Sequence, residues 1–494
     1  MLTRTEPEQI ESYLDDSSHM RGGFADRVVF PESADEVAQI LNEASQTHTP
    51  VTVSGAGTGT VGGRVPFGGT VLALDRINRI ISVENAAARA EAGVLLSDLQ
   101  QAVEARGMLY PPDPTERSCF LGGNIATNAS GSRTFKYGPT RDYVKALKIA
   151  LASGDIIDLK RGELFADQSG KVTIPLPGKT LEAQLPTYIM PRVRKHASGY
   201  FVKPEMDVID LFIGSEGTLG VILEAELRLL PKPSGLLSGV VFFAADADLL
   251  RFVGTARARS LRNRERISDA VALDARALEY FDTESLKFLR QKYDAVPEEA
   301  AGAIFFEQET TTATEDSLLN EWSSLIDTHH ALSDRSWFAT NERDHDKLRE
   351  FRHALPVLMN EWFARYQQKK VSTDMALPDE QFPGMLEFYR SALRGGDLRY
   401  TIFGHIGDNH VHVNILPRNE DEATKAWEIY RTFIRRAVDA GGTISAEHGI
   451  GKLKREYLLE LYGDRHIREM AALKKAFDPA GILGRGNMFS EDYL

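Results

Sequence analysis

The sequence predicts an α+β protein built in two parts, and three observations carry that prediction. The chain has 494 residues, more than one hydrophobic core supports. Strand and helix patterns alternate up to about residue 230. The segment Leu230-Pro-Lys-Pro-Ser-Gly235 reads as a linker, and an apolar strand and long helical stretches follow it. The expected parts are residues 1–235 and 236–494.

The first fifty residues read as helix, short loop, strand and helix. Val28-Val-Phe30 ends at Pro31 as a strand. Ser33 opens a helix by capping, with apolar spacing through Leu41. Val51-Thr-Val-Ser54 is a β-branched strand that runs into Gly55-Ala-Gly-Thr-Gly-Thr-Val-Gly-Gly63. Strands are expected at Val71–Leu74 and Ile80–Val83, and a helix from Leu95 to Arg106 ending near Gly107. Residues 156–196, with Lys160-Arg-Gly-Glu and Pro175-Leu-Pro-Gly, read as a long surface loop. Gly239-Val-Val-Phe-Phe243 starts the second part as a strand, and helices are expected over 246–261 and 317–327. No internal repeat or low-complexity segment is present.

Hydrophobic residues make up 42% and charged residues 26%, as in a soluble globular protein. A net charge of −13 argues against nucleic-acid binding, which needs a basic surface. Local arginines can still hold a small anion. The lone cysteine, Cys119, rules out an intrachain disulfide and an iron–sulfur cluster held by this chain's own thiolates. The polar N-terminus and the absence of a run of about 18 apolar residues give no secretion signal and no membrane span. A cytoplasmic location is expected, with peripheral contact at the inner membrane face left open.

Gly55-Ala-Gly-Thr-Gly follows a strand as a dinucleotide fingerprint would, yet the required helix does not follow. What remains is a loop rich in backbone N–H groups, suited to a pyrophosphate or to a plain connector. Three more clusters of small and amide residues follow. They are Pro111-Pro-Asp-Pro-Thr115 with Gly122-Gly-Asn-Ile-Ala-Thr-Asn-Ala-Ser-Gly131, then Tyr137-Gly-Pro-Thr-Arg-Asp142, then Gly214-Ser-Glu-Gly-Thr-Leu-Gly220. In the second half, His405-Ile-Gly-Asp-Asn-His-Val-His412 and Ser445-Ala-Glu-His-Gly-Ile-Gly451 bring together four imidazoles and a carboxylate. His405, His412 and Glu447 form a two-His, one-carboxylate set that leaves positions open for water or substrate, as a catalytic metal needs. A strand–turn–strand path through Gly407 would bring the two histidines to one site.

These segments, in this order, resemble the vanillyl-alcohol-oxidase/PCMH flavoprotein superfamily, in its D-lactate dehydrogenase, glycolate oxidase and D-2-hydroxyglutarate dehydrogenase branch. The resemblance spans roughly residues 25 to 490. It implies a PCMH-type FAD-binding domain of two α+β subdomains, then a C-terminal α+β domain with an antiparallel sheet, whose last 60 or so residues return to the flavin. It implies that Ser54, Gly55, Ala56, Gly57, Thr58 and Gly59 cradle the FAD pyrophosphate, with Gly62 closing the turn. Pro112, Asp113 and the loop from Ser118 to Gly123, with Gly122, would line the flavin. Asn124, Thr127, Asn128 and Ser130 match the family's next run, and Glu216, Gly217, Gly220 and Val221 would hold the adenine side. The first glycine loop has no His, and Cys119 occupies a position that non-covalent relatives also fill with Cys, so FAD is expected to be non-covalent. Asn487 lies in the tail that returns to the flavin.

The resemblance further implies that His405, His412 and Glu447 bind a divalent metal, zinc first, with manganese or iron as alternatives. His448 would be the base, its ordinary pKa lying near neutrality. One arginine of Leu348-Arg-Glu-Phe-Arg-His-Ala-Leu-Pro356, Arg349 or Arg352, would bind the substrate carboxylate, with Arg352 preferred. Asn414 matches a position near the substrate. The sequence departs from the family pattern at two points in the first histidine motif: Asn409 replaces a glycine and His410 an asparagine. His410 is open between a fourth ligand, a substrate contact and a solvent-facing or supporting side chain. Ser372 stands two before Asp374, where some relatives carry Lys, and this weighs against a second carboxylate on the substrate. Lys452 and Lys454 face either the cavity or solvent, and Arg485 is undecided between substrate and FAD.

The implied activity is FAD-dependent oxidation of a D-2-hydroxy acid to the 2-keto acid, D-lactate or a similar short acid first, with glycolate and D-2-hydroxyglutarate as alternatives. Electrons would pass to an external quinone, electron-transfer flavoprotein, cytochrome or iron–sulfur protein. A sugar or lactone oxidase, a non-catalytic flavin subunit and a zinc-binding module are the competing readings. The oligomeric state is open, a homodimer included.

Overall fold

The protein is described by a computed structural model over residues 1–265, 271–395 and 398–494. The first 231 residues supply four sheets. A four-stranded sheet orders Leu2–Arg4, Arg27–Phe30, Thr70–Ala73 and Val51–Ser54, the last three parallel. A five-stranded antiparallel sheet orders Ile80–Glu84, Ala87–Glu91, Val221–Arg228, Val144–Ala150 and Ile156–Lys160. The linker segment contributes Leu230–Pro231, which pairs with Met108–Leu109. From Gly235 onward a seven-stranded antiparallel sheet orders Trp337–Ala339, Gly235–Phe243, Gly302–Thr310, Ala275–Asp282, Tyr400–Gly404, His412–Ile415 and Val371–Ser372.

The expected elements form with local reasons visible. Ser33 caps the helix Ala34–Thr47 by accepting from the Glu36 N–H at 3.2 Å, and Glu36 reaches back to the Glu32 N–H. No helix follows the first glycine loop; the chain passes through Gly57 and Gly62 at positive φ and enters Thr70–Ala73. In the second half the helices Asp246–Glu265 and Glu315–Thr328 pack on the large sheet, where Trp322 stacks on Phe306 with ring centroids 3.9 Å apart. That offset stack adds roughly 0.5–1.5 kcal/mol to the burial of both rings. Among the described residues no helix is long and apolar enough to cross a membrane.

Two expectations need correction. The chain starts with a strand, Leu2–Arg4, paired with Arg27–Phe30, before a one-turn helix. Residues 156–196 are not a long surface loop. They begin with the strand Ile156–Lys160 and continue into a hairpin, Lys171–Leu176 with Lys179–Gln184, closed by Pro177 and Gly178. Its alternation of buried Val172 and Ile174 with exposed neighbours is a strand signal that the flanking prolines obscured. The remaining stretch, 186–196, does run without regular structure and exposes Ile189 at 88%, but Lys195 at its end is fully buried.

The two halves meet around Ser445–Gly451. Gly451 lies at φ +50°, and a Cβ there would sit 2.2 Å from the Val61 carbonyl oxygen. Only glycine lets the loop approach the first half this closely. Gly451→Ala is therefore expected to destabilise the protein by at least about 1–3 kcal/mol and to lower the retained FAD, as read by chemical denaturation and flavin absorbance. An unchanged denaturation midpoint would refute this account of the junction.

Candidate active site

A cleft of about 1020 Å³, open mouth included, runs along the first glycine loop. Gly55, Ala56, Gly57, Thr58 and Gly59 form one wall, and Gly122, Gly123, Asn124 and Thr127 another. Glu216, Gly217, Gly220 and Asn487 line it further, and His448 stands at its wall. Backbone N–H groups and missing side chains suit a flat cofactor with a pyrophosphate arm. Cys119 also lines the cleft, and burial pushes its thiol up to about 11, so it is a poor nucleophile.

Beyond His448 lies a cluster of metal-ligating groups. Atoms of His405, His410, His412 and Glu447 lie within 4.8 Å of one another. His405 and His412 end and begin adjacent strands, as a strand–turn–strand path requires. Asn409, in the turn, adopts φ 54°. Asn tolerates this left-handed conformation, so Asn409 can hold a turn position that otherwise favours glycine. His405 Nδ1 lies 2.6 Å from Glu279 Oε1, and His412 Nδ1 lies 3.0 Å from the Thr373 carbonyl. Each Nδ1–H is thereby engaged, and both Nε2 atoms face Glu447, at 3.4 and 3.8 Å from its oxygens. Two donors about 2.1 Å from a tetrahedral ion lie roughly 3.4 Å apart, so these spacings accommodate a cation.

The cluster also contains polar atoms without hydrogen-bond partners. His410 Nδ1, both carboxylate oxygens of Asp408 and Oδ1 of Asn414 are buried without a hydrogen bond, Asp408 having only the Lys195 ammonium nearby at 3.6 Å. Such atoms are uncommon in a native interior. Burial holds His410 and His412 below their ordinary range, and a metal ligand must be neutral. His405 goes the other way: burial is the largest single influence and lowers it, but Glu279 and Glu447 together carry it up to about 9. Burial alone would raise Glu447; Lys195 and His405 hold it well below the carboxylate range instead.

Three side chains hold this constellation in place, none of them in a role expected from the sequence. Asp374, wholly buried, accepts from Ser445 Oγ at 2.6 Å, from Lys454 Nζ at 2.8 Å and from the backbone N–H groups of Glu447 and His448. It also lies 3.2 Å from both His448 Nδ1 and His410 Nε2. Lys195, from the segment expected on the surface, donates to Glu447 Oε1 at 2.5 Å and to the Gly131 carbonyl at 2.8 Å. Glu216 accepts from the N–H groups of Ile450 and Gly451, both at 2.7 Å.

The sequence matches the family described as "FAD linked oxidases, C-terminal domain" over residues 260–488 and that described as "FAD binding domain" over residues 25–160. It is 30% identical to the glycolate oxidase subunit GlcD of Bacillus subtilis (strain 168) over 490 residues, covering 97% of this chain and 92% of the relative. It is 32% identical to a D-lactate dehydrogenase of Anaerostipes hadrus over 472 residues, covering 92% and 88%. The chain belongs to the FAD-linked oxidase family. The fold is that of the PCMH group: p-cresol methylhydroxylase with substrate bound superposes with TM-score 0.71 at 14% identity, covering 99% of this chain and 94% of that one. The 4-ethylphenol oxidase from Gulosibacter chungangensis superposes with TM-score 0.70 at 17% identity, covering 100% and 95%.

Within this FAD-linked oxidase the remaining expected residues fall in several places. Arg352 pairs with Glu279 at 3.0 Å beside His405, whereas Arg349 is exposed on Asp346. Asn414 is fully buried next to His412. His410 is also fully buried, so the solvent-facing alternative is excluded. Lys454 joins Asp374, and Lys452 donates to Asn487 Oδ1 and to the carbonyls of Gly62 and Gly63. Arg485 is bound to the carbonyls of Gly481 and His48. Of the residues expected at the flavin, Ser130 donates to Glu447 Oε1 at 3.0 Å, and Asn128 donates to the His196 carbonyl. Asp113 pairs with Arg117 and Arg133, and Ser118 with Glu116. The Pro112 carbonyl accepts from Gln100, Ser54 is buried beside Gly55, and Val221 pairs with Ala150 in the sheet.

Asp374 accepts from Lys454, Ser445 and the N–H groups of Glu447 and His448, so removing its carboxylate leaves the buried Lys454 ammonium and these donors unpaired. Asp374→Ala in this FAD-linked oxidase is expected to lose roughly 3–5 kcal/mol of stability, measured by urea unfolding. A loss under about 1 kcal/mol would contradict its place as the hub.

Proposed function

We propose that the protein oxidises a short D-2-hydroxy acid, D-lactate first, to its 2-keto acid, with residues 1–235 binding FAD and residues 236–494 carrying the metal and the base. The observation that carries this is the placement of three imidazoles and Glu447 around one point, with His448 between that point and a glycine-lined cleft. Relatives named as D-lactate dehydrogenase, glycolate oxidase subunit and D-2-hydroxyglutarate dehydrogenase support the substrate class.

When bound, FAD supplies a two-electron acceptor and the divalent metal supplies Lewis acidity toward the substrate hydroxyl. His405, His412 and Glu447 would hold the metal, zinc by preference with manganese or iron as alternatives, and His410 stands ready as a further ligand. His448 takes the hydroxyl proton; Asp374 beside its Nδ1 fixes the ring and leaves Nε2 for that role. Arg352, rather than Arg349, is the arginine near enough to attract the substrate carboxylate. Ser372, paired with Asn414 in the sheet, puts no charge where a second carboxylate would need one, which favours a short monocarboxylate. FAD is held non-covalently, since Cys119 is a buried, weakly acidic thiol. With one cysteine in the chain, the electrons leave to an external acceptor, a quinone, electron-transfer flavoprotein, cytochrome or iron–sulfur protein. A cytoplasmic enzyme fits this reading.

Mixing the oxidised enzyme anaerobically with a panel of D- and L-2-hydroxy acids is expected to bleach the flavin with D-lactate fastest. Faster bleaching by glycolate or D-2-hydroxyglutarate would move the substrate to that acid, and no bleaching by any would defeat the reading. Glu447→Ala is expected to lose bound metal and to lower turnover at least about 100-fold while keeping the flavin spectrum. Full turnover without metal would remove the metal from the mechanism.

A further inference from the structure

Glu279 lies on the strand Ala275–Asp282, in the middle of the large sheet. Its carboxylate is 3% exposed and has two partners on opposite sides. Oε1 lies 2.6 Å from His405 Nδ1, and Oε2 accepts from Arg352 Nε at 3.2 Å and Nη2 at 3.0 Å. Arg352 is thus directed at Glu279 through two of its donors. A buried carboxylate on the far nitrogen of a metal-ligating histidine fixes the ring's tautomer and orientation and makes the facing nitrogen a stronger donor. The sheet supplies the rigidity: Glu279 is paired through its backbone with Phe305 on the neighbouring strand, so it cannot drift from His405.

We infer that Glu279 is a positioning residue for the metal centre, orienting His405 Nε2 toward Glu447, and that Arg352 acts through Glu279 as well as on any anion. This rests on the metal reading of the same site. The histidine motif gave no sign of it, because Glu279 lies 126 residues before His405 in the chain.

The test is the affinity of purified, FAD-loaded enzyme for Zn²⁺ and, in parallel, Mn²⁺, titrated in metal buffers and read as metal bound per flavin. Glu279→Gln preserves volume and removes the charge. It is expected to raise the metal dissociation constant roughly 10- to 100-fold with the flavin content and spectrum unchanged. Glu279→Gln leaves Arg352 without its counter-ion, so the paired variant Glu279→Gln/Arg352→Met, which removes both buried charges, is measured beside it and is expected to show the same weakening. Wild-type affinity in either folded variant overturns the assignment while leaving the metal centre intact. A wild type that binds neither ion overturns the metal reading and this inference together; flavin bleaching by substrate in the same preparation distinguishes that outcome from inactive protein.

Discussion

The molecule depends on two adjacent N–H groups of one loop being accepted by the carboxylate of Glu216. Glu216 belongs to the first half and the N–H groups of Ile450 and Gly451 to the second. Burial pushes Glu216 up to about 7, and the two N–H bonds work against that shift. With the loop pinned at this end and Asp374 accepting from the Glu447 and His448 N–H groups at the other, His448 has little freedom to leave the cleft wall. Lys195 and Ser130, again from the first half, then fix the Glu447 carboxylate. The His/Glu cluster and the glycine-lined cleft are therefore one structure assembled across a seam, not two sites placed side by side.

Much of this was legible in the sequence. The glycine loops, the absence of a helix after the first of them, and the convergence of His405, His412 and Glu447 follow from residue type and spacing. What escaped was of one kind. Lys195, Glu279 and Asp374 are lone polar residues set in segments with no motif, and their role comes only from what the fold places opposite them. Lys195 was further disguised by proline- and glycine-containing surroundings that read as exposed. Ser130 and Asn128 sit inside a flavin-like run, yet their side chains turn to Glu447 and to the His196 carbonyl. A matching run locates a segment; which way each side chain points depends on neighbours from elsewhere in the chain.

The departures at Asn409 and His410 have different physical standing. Asn409 fills a left-handed turn position that glycine or asparagine can hold, and its amide donates to Asp379, so the turn survives the change. His410 adds a further imidazole to the His/Glu cluster. Its ring centroid lies 4.6 Å from that of His412.

The contacts that finish the site join residues 317, 252 and 234 positions apart. A ribosome releasing this chain has exposed all four sheets of the first half long before Glu447, His448 and Asn487 exist outside the tunnel. Until then the glycine-lined cleft lacks a wall, and its interior faces the surrounding water. Loop closure over such spans comes late in folding. Loading of FAD thus belongs to the end of biogenesis, after the second half has closed the cleft.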